Sequence, residues 1–127
     1  MAPLTHLDTH VLVWLHLPRP DLLSPSAIQA IEDDRLAVSP LVSLELTYLH
    51  EIGRLTEGGP AIVASVAEQL GVELDRTPLV AVVAAAQGST WTRDPFDRLI
   101  SGQARAAGAR LLTKDQSILE NEATAFW

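Results

Sequence analysis

Prolines and glycines divide this chain at short intervals, and the segments between them constrain the fold more than any other feature. Five of the eight prolines follow a residue able to cap a helix: Ser24-Pro25, Ser39-Pro40, Gly59-Pro60, Thr77-Pro78 and Asp94-Pro95. Proline suits the first helical position because its missing N–H would have no partner there. Glycines at 53, 71, 88 and 108 lie where helices should end. These signals predict helices over 25–34, 40–52, 60–70, 78–87 and 95–107, and the apolar stretch 9–16 adds another.

Short apolar runs lie between the predicted helices and have the length of buried strands. They cover residues 4–7, 36–39, 72–74, 109–113 and 123–127. Strands that alternate with helices predict an α/β domain with a mainly parallel sheet of about five strands, covered by helices on both faces. The 127 residues include no repeat or linker, and 47% are hydrophobic, so we expect one domain over 1–127.

Composition excludes several classes of protein. The absence of cysteine excludes a thiol nucleophile, a disulfide scaffold and a cysteine-ligated metal site. The first residues lack the features of a signal peptide, and the most apolar stretch, 79–86, is too short to span a membrane. We therefore expect a cytoplasmic protein without a membrane segment. A formal net charge of −7 argues against a polyanion ligand, because nucleic-acid affinity rests largely on Lys and Arg.

Four of the sixteen carboxylates occupy positions that favour a binding site. Ligands of open parallel sheets collect at the carboxyl ends of strands, where Asp8 and Asp115 follow predicted strands. Asp97 lies in the first turn of its predicted helix, and Glu45 interrupts an apolar run inside another. Converging carboxylates would lose their charge unless a cation compensated them. Oxygen ligands alone suit Mg²⁺ or Mn²⁺, ions that serve phosphoryl chemistry.

Helix capping is a second interpretation of the same acids. Asp8 and Asp115 could cap helices that follow them, and the spacing of Asp94 and Asp97 fits a capping box. Glu45 could face solvent on an amphipathic helix. The chain would then be a non-catalytic α/β binding module whose acids are helix caps.

Four segments together carry a family resemblance. They are LDTHVLVWL (7–15), VSP (38–40) followed by LEL (44–46), RDPFDRLI (93–100) and LLTKD (111–115). Their order resembles the PIN-domain family, and within it the VapC-like ribonuclease toxins of type II toxin–antitoxin systems. The final Phe126-Trp127 is similar to the short last strand of that family. A non-toxin PIN nuclease in RNA processing stays open as an alternative.

The resemblance implies a PIN-like three-layer α/β/α fold and an Mg²⁺-dependent endoribonuclease, with Mn²⁺ as an alternative ion. It implies hydrolysis that leaves a 5′-phosphate and a 3′-hydroxyl. Asp94 is expected to cap its helix and not to join the site. The residues that the resemblance assigns to catalysis and metal binding are Asp8, Glu45, Asp97 and Asp115, with Thr9 and Thr113 in supporting roles.

The resemblance also implies three partners: an RNA substrate, a cognate VapB-like antitoxin and a second copy of the chain. Residues 93–114 contain five basic residues and only two acids, although the whole chain is acidic. This uneven distribution allows an acidic protein to meet phosphates locally. The candidate RNA-binding residues in this stretch are Arg93, Arg98 and Lys114.

Overall fold

A parallel sheet forms the centre of the molecule. The computed structural model describes residues 2–127, and within them the sheet has five strands in the order β3-β2-β1-β4-β5. The strands are β1 (Leu4–Leu7), β2 (Arg35–Val38), β3 (Glu73–Leu74), β4 (Arg110–Leu112) and β5 (Ala125–Phe126). Neighbouring strands are parallel throughout. The residues that follow β1, β2 and β4 therefore meet at one edge of the sheet.

Seven α-helices in residues 2–127 flank the sheet, as the predicted α/β/α fold requires. They are α1 (Thr9–His16), α2 (Pro25–Asp33), α3 (Pro40–Glu51), α4 (Gly59–Leu70), α5 (Leu79–Ala86), α6 (Pro95–Ala106) and α7 (Gln116–Asn121). All predicted helices and strands are confirmed to within two residues at each end, whereas α7 had no predicted bounds. No helix in the described part of the chain has the length and apolarity needed to cross a membrane.

Helix caps explain most of the helix starts that were predicted correctly. They also explain the starts of α4 and α5, which each differ by one residue from the prediction. The side chains that cap α2, α3 and α6 as predicted are Ser24, Ser39 and Asp94. The expected caps Gly59 and Thr77 were wrong, because Gly58 caps α4 and Pro78 caps α5. The N–H of Thr77 instead donates to Asp75 Oδ1 at 2.8 Å, which places Thr77 in a turn before the helix.

Two glycines allow the helices near the sheet edge to pack closely. A Cβ on Gly102 of α6 would lie 2.9 Å from the backbone nitrogen of Ala86 in α5. A Cβ on Gly59 of α4 would lie 1.9 Å from the carbonyl oxygen of Ser43 in α3. These contacts fix α6 against α5 and α4 against α3, and so help to position the acids that α3 and α6 carry.

A buried polar network joins the same helices to the sheet. His6 of β1 is 1% exposed, and its Nε2 lies 3.2 Å from Asp75 Oδ2. Gln103 of α6 donates through Nε2 to Asp75 Oδ1 at 2.8 Å and accepts a hydrogen bond from the Ser39 hydroxyl. Burial lowers the pKa of His6, which favours a neutral ring in this network. His6 Nδ1 has no partner in the described residues, whereas the hydrogen bonds among Asp75, Gln103 and Ser39 favour one arrangement of the elements they join.

Candidate active site

Asp8 lies immediately after β1 and is held by hydrogen bonds to both carboxylate oxygens. The N–H of Thr9 donates to Oδ1 at 2.8 Å and caps α1, and the Thr113 hydroxyl donates to Oδ2 at 2.6 Å. Burial raises the pKa of the Asp8 carboxyl, whereas these two bonds oppose the shift. Thr113 follows β4, the neighbour of β1, so parallel pairing brings the two residues together.

Glu45 reaches the same edge of the sheet from the middle of α3. The Thr9 hydroxyl donates a hydrogen bond to Glu45 Oε1, which links α3 to the first turn of α1. Burial raises the pKa of Glu45 first, and the charges of Asp8 and Asp94 raise it further. The side chain therefore points toward other acids and not only toward solvent.

Asp97 has a perturbed carboxyl although it lies in the first turn of α6. An acid in the first turn of a helix is normally stabilised by the helix dipole. Here burial, followed by the charges of Asp94, Asp8, Asp115 and Glu45, raises the pKa of Asp97 to about 7. The four acids proposed from the sequence therefore share one electrostatic environment.

Besides Asp8, two further acids at this edge are helix caps. Asp115 Oδ1 accepts the N–H of Ile118 at 3.0 Å and caps α7. Asp94 Oδ1 accepts the N–H groups of Phe96 and Asp97 at 2.8 and 3.2 Å, which confirms the predicted cap of α6. Capping and ligand binding are compatible, because each carboxylate has about four lone-pair sites.

The carboxylates at this edge of the sheet are possible ligands for a divalent metal ion. In residues 2–127, no three His, Asp or Glu side chains converge closely enough to form a ready-made metal site. The donors at the edge are carboxylate oxygens, which hard divalent cations such as Mg²⁺ prefer. Their mutual repulsion, visible at Asp97, is the condition that a bound cation would relieve. The residues present therefore fit such an ion chemically.

The chain matches the family model described as PIN domain over residues 6–122. It belongs to the PIN domain family. Ribonuclease VapC22 of Mycobacterium tuberculosis (strain ATCC 25618 / H37Rv) is 40% identical over 116 residues, which cover 88% of this chain and 87% of that protein. The chain is thus a VapC-like PIN domain, as its sequence motifs predict.

Solved structures confirm the PIN-like fold at low sequence identity. VapBC2 from Rickettsia felis, bound to a DNA fragment from its promoter, gives a TM-score of 0.68 at 16% identity and covers 97% of this chain and 96% of that chain. DNA-bound VapBC from Salmonella typhimurium gives a TM-score of 0.63 at 20% identity, covering 98% and 96%.

The basic residues of this PIN domain differ in how free they are to meet a ligand. Arg98 donates from Nε to the Ala86 carbonyl at 3.2 Å and from Nη2 to the Gln87 carbonyl at 3.0 Å, at the end of α5. The exposed Arg93 makes one such contact, to the Thr90 carbonyl at 3.1 Å. Arg93 is therefore the more available of the two.

Two further arginines in the basic stretch are paired inside the PIN domain. Arg105 lies 2.8 Å from Glu122, and Arg110 lies 2.7 Å from Asp34. Both carboxylates are almost fully buried. The first pair therefore joins α6 to the end of α7, and the second joins the start of β4 to the residue before β2. Much of the local positive charge counted from the sequence is consequently used within the protein.

Two residues beside the acids of this PIN domain, His10 and Trp14, were not among the site residues predicted from the sequence. Both line a cavity of about 240 Å³, together with Asp8, Lys114 and Asp115. Their i, i+4 spacing on the predicted helix 9–16 was the available signal, because such residues share a helix face. Lys114 comes from the distant LLTKD motif, and only the fold shows that it joins them.

Proposed function

We propose that this PIN domain is an Mg²⁺-dependent endoribonuclease that acts as the toxin of a VapBC-type toxin–antitoxin pair. The observation that carries the proposal is the meeting of distant motifs at one edge of the sheet, where the Thr113 hydroxyl donates to Asp8 and the Thr9 hydroxyl donates to Glu45. In the same place burial, together with the charges of four other acids, raises the pKa of Asp97 to about 7. A fold without a cation or a charged ligand at this edge gains nothing from such repulsion. The 40% identity to a protein named as a VapC ribonuclease supplies the reaction class.

Four residues would hold the ion: Asp8, Glu45, Asp97 and Asp115. Mg²⁺ is usually bound by one or two carboxylates together with waters and substrate phosphates, so three side chains need not converge beforehand. When bound, the ion supplies an activated water and stabilises the leaving oxygen of the phosphodiester. Mn²⁺ has similar ligand preferences and is the alternative ion.

The two threonines orient the acids before any ion arrives. Thr113 fixes one oxygen of Asp8, and Thr9 fixes one oxygen of Glu45. Such partners of metal ligands set the direction of the remaining lone pairs. The exposed Arg93 would contact an RNA phosphate, which positions a nucleic acid without reading its sequence, and the exposed Lys114 would contact RNA beside the Trp14 ring. Cleavage would leave a 5′-phosphate and a 3′-hydroxyl.

The capping interpretation accounts for only part of the group. Asp8 and Asp115 cap α1 and α7, as a non-catalytic binding module would require. Glu45 is not at a helix start, and Asp97 sits in a first turn that another residue, Asp94, already caps. A non-catalytic module does not explain why Asp97 is half-buried among other acids that raise its pKa.

A matched pair of variants tests the proposal. Purified protein, freed of any bound partner, is incubated with RNA and Mg²⁺, and Asp97→Asn is compared with Asp94→Asn. Both changes remove one negative charge within three residues, and asparagine still caps a helix. We expect Asp97→Asn to lose at least about 100-fold in rate, since loss of even outer partners of a metal site costs 10–100-fold. Asp94→Asn should remain active. Equal rates for Asp97→Asn and wild type would refute the site.

We propose two protein partners, a VapB-like antitoxin and a second copy of the chain. Related folds have been solved as VapBC assemblies, and this chain has apolar surface to cover. Exposed apolar side chains recur at helical spacing along α3 and at its C-cap: Leu44, Tyr48 and Ile52. Helix α5 has no charged residue, and its Val80 is 84% exposed. Large exposed apolar patches mark interaction sites.

The two partners are tested separately. Light scattering on the purified chain should give the mass of a dimer, and Val80→Asp should shift it toward the monomer. A wild-type monomer at micromolar concentration would contradict self-association. For the antitoxin, growth arrest on expression should be relieved by co-expressing a small protein from the adjacent gene. Failure of any such protein to bind and inhibit would contradict this partner.

A further inference from the structure

The cavity beside the acids extends the candidate site in one direction along the protein surface. It has a volume of about 240 Å³ and lies between the first turns of α1 and the turn that joins β4 to α7. Asp8 and Asp115 form one part of its wall, and Trp14, His10 and Lys114 form the rest. Whatever occupies this cavity is therefore in contact with the proposed metal-binding acids.

The rest of the wall is an aromatic surface held by contacts within the protein. The half-buried Trp14 ring packs edge-on against Trp127, with ring centroids 5.8 Å apart. The His10 ring lies 6.1 Å away on the same helix, and Lys114 Nζ lies 5.8 Å from the centre of the Trp14 ring. A rigid aromatic ring with a neighbouring cation is the combination that single-stranded nucleic-acid sites use for stacking bases.

The lining of the cavity distinguishes between parts of a nucleotide. Its two carboxylates, Asp8 and Asp115, belong to the proposed metal site that takes the cleaved phosphate, so the wall formed by Trp14, His10 and Lys114 is left for another part of the same strand. A base is neutral, and its amino groups can donate to carboxylate oxygens while its face stacks on the indole. The volume is below the roughly 300–1,000 Å³ typical of pockets for drug-sized ligands, which fits a single ring system.

We propose that this cavity binds one base of single-stranded RNA, from a nucleotide next to the phosphate that is cleaved. The inference rests on the proposed ribonuclease function and adds a subsite that Trp14, His10 and Lys114 create. A duplex cannot supply such a base, because its bases are stacked and paired, whereas loops and single strands present unstacked bases. The subsite thus selects unpaired RNA and requires a base at one position beside the cut.

The experiment uses short single-stranded RNA with one cut site and an abasic nucleotide placed in turn at each neighbouring position. For wild type, one abasic position should lower kcat/KM by about 5- to 150-fold, the range of a single base–aromatic stack. Trp14→Leu should lower kcat/KM on intact RNA by a similar factor and should abolish the abasic penalty. Trp91→Leu is the matched control and should leave that penalty unchanged, since Trp91 packs against the core as Trp14 does but does not line the cavity.

Each other outcome has a distinct meaning. Wild-type cleavage that is indifferent to every abasic position would overturn the subsite and leave the ribonuclease proposal intact. Absence of cleavage of any RNA would overturn the proposed function and the subsite with it. If Trp14→Leu cleaves normally but resists inhibition by the antitoxin, the cavity belongs to the protein partner and the inference is wrong. If Trp14→Leu does not fold, Lys114→Gln is used in its place, since Lys114 is exposed and lines the same cavity. The proposal then requires that Lys114→Gln reduce the abasic penalty at the same position.

Discussion

Replacing Asp97 by asparagine should stabilise the protein at pH 8 in the absence of divalent metal. Burial and the neighbouring acids raise the pKa of Asp97 from its ordinary 3.8 to about 7. One pKa unit corresponds to about 1.4 kcal/mol, so the whole shift corresponds to about 4 kcal/mol. Because the side chain is only half-buried, solvent screens the repulsion, and we expect a gain of about 1–2 kcal/mol. A stability cost held at a functional residue is a common trade-off.

The gain should depend on pH in a defined direction. The pKa of Asp97 is higher in the folded than in the unfolded state, so between about pH 4 and pH 7 the folded state binds more protons. Wild-type stability therefore falls as the pH rises through this window. The advantage of Asp97→Asn is largest above pH 7 and shrinks toward zero near pH 4.

Thermal unfolding in EDTA measures both effects. A gain of 1–2 kcal/mol corresponds to an increase in Tm of about 4–8 °C for a chain of this size. At pH 8 the increase should be present, and near pH 4 the two proteins should melt together. A lower Tm for Asp97→Asn at pH 8 would refute the reasoning. It would show that Asp97 acts as a favourable acid in the first turn of its helix.

Three further outcomes are expected. Thr113→Val should destabilise the fold by about 1–3 kcal/mol in urea unfolding, because it removes the hydroxyl that donates to the buried Asp8; an unchanged midpoint would contradict this. Millimolar Mn²⁺ should raise the wild-type Tm at pH 8 through selective binding to the folded state, and no shift would favour the capping interpretation. Gly59→Ala should lower the free energy of unfolding by about 1–3 kcal/mol or more, because its Cβ would collide with the Ser43 carbonyl. Gly58→Ser is its control and should be nearly neutral, because its Cβ would lie no closer than 3.9 Å to another atom and serine still caps α4.

The fold was predictable because its boundaries rest on local chemistry. A capping side chain followed by proline fixes a helix start without help from the rest of the chain, as at Ser39 and Asp94. The two misplaced caps show where local rules compete. Gly58 and Gly59 can both cap a helix, and only the packing of α4 on α3 decides between them. Thr77 was recruited into a turn by Asp75, a choice that depends on the buried network around Gln103.

The sequence could predict which residues form the site. It could not predict their burial or the charges that surround them. The sequence places Asp8 and Asp115 directly after strands. Position alone cannot separate a helix cap from a metal ligand, because both roles occupy that place in the chain. What separates the two interpretations is the repulsion around Asp97, which depends on residues far apart in the chain. The base-sized cavity needs Lys114 beside Trp14, a juxtaposition created by the pairing of β1 with β4.

The central claim is that these carboxylates bind a divalent ion, and anomalous diffraction from Mn²⁺-soaked crystals tests it most directly. The account predicts an anomalous peak among Asp8, Glu45, Asp97 and Asp115 in the wild type, and its loss in Asp97→Asn. A wild type that cleaves RNA in Mn²⁺ but shows no peak at this edge of the sheet, or a peak elsewhere, would contradict the account.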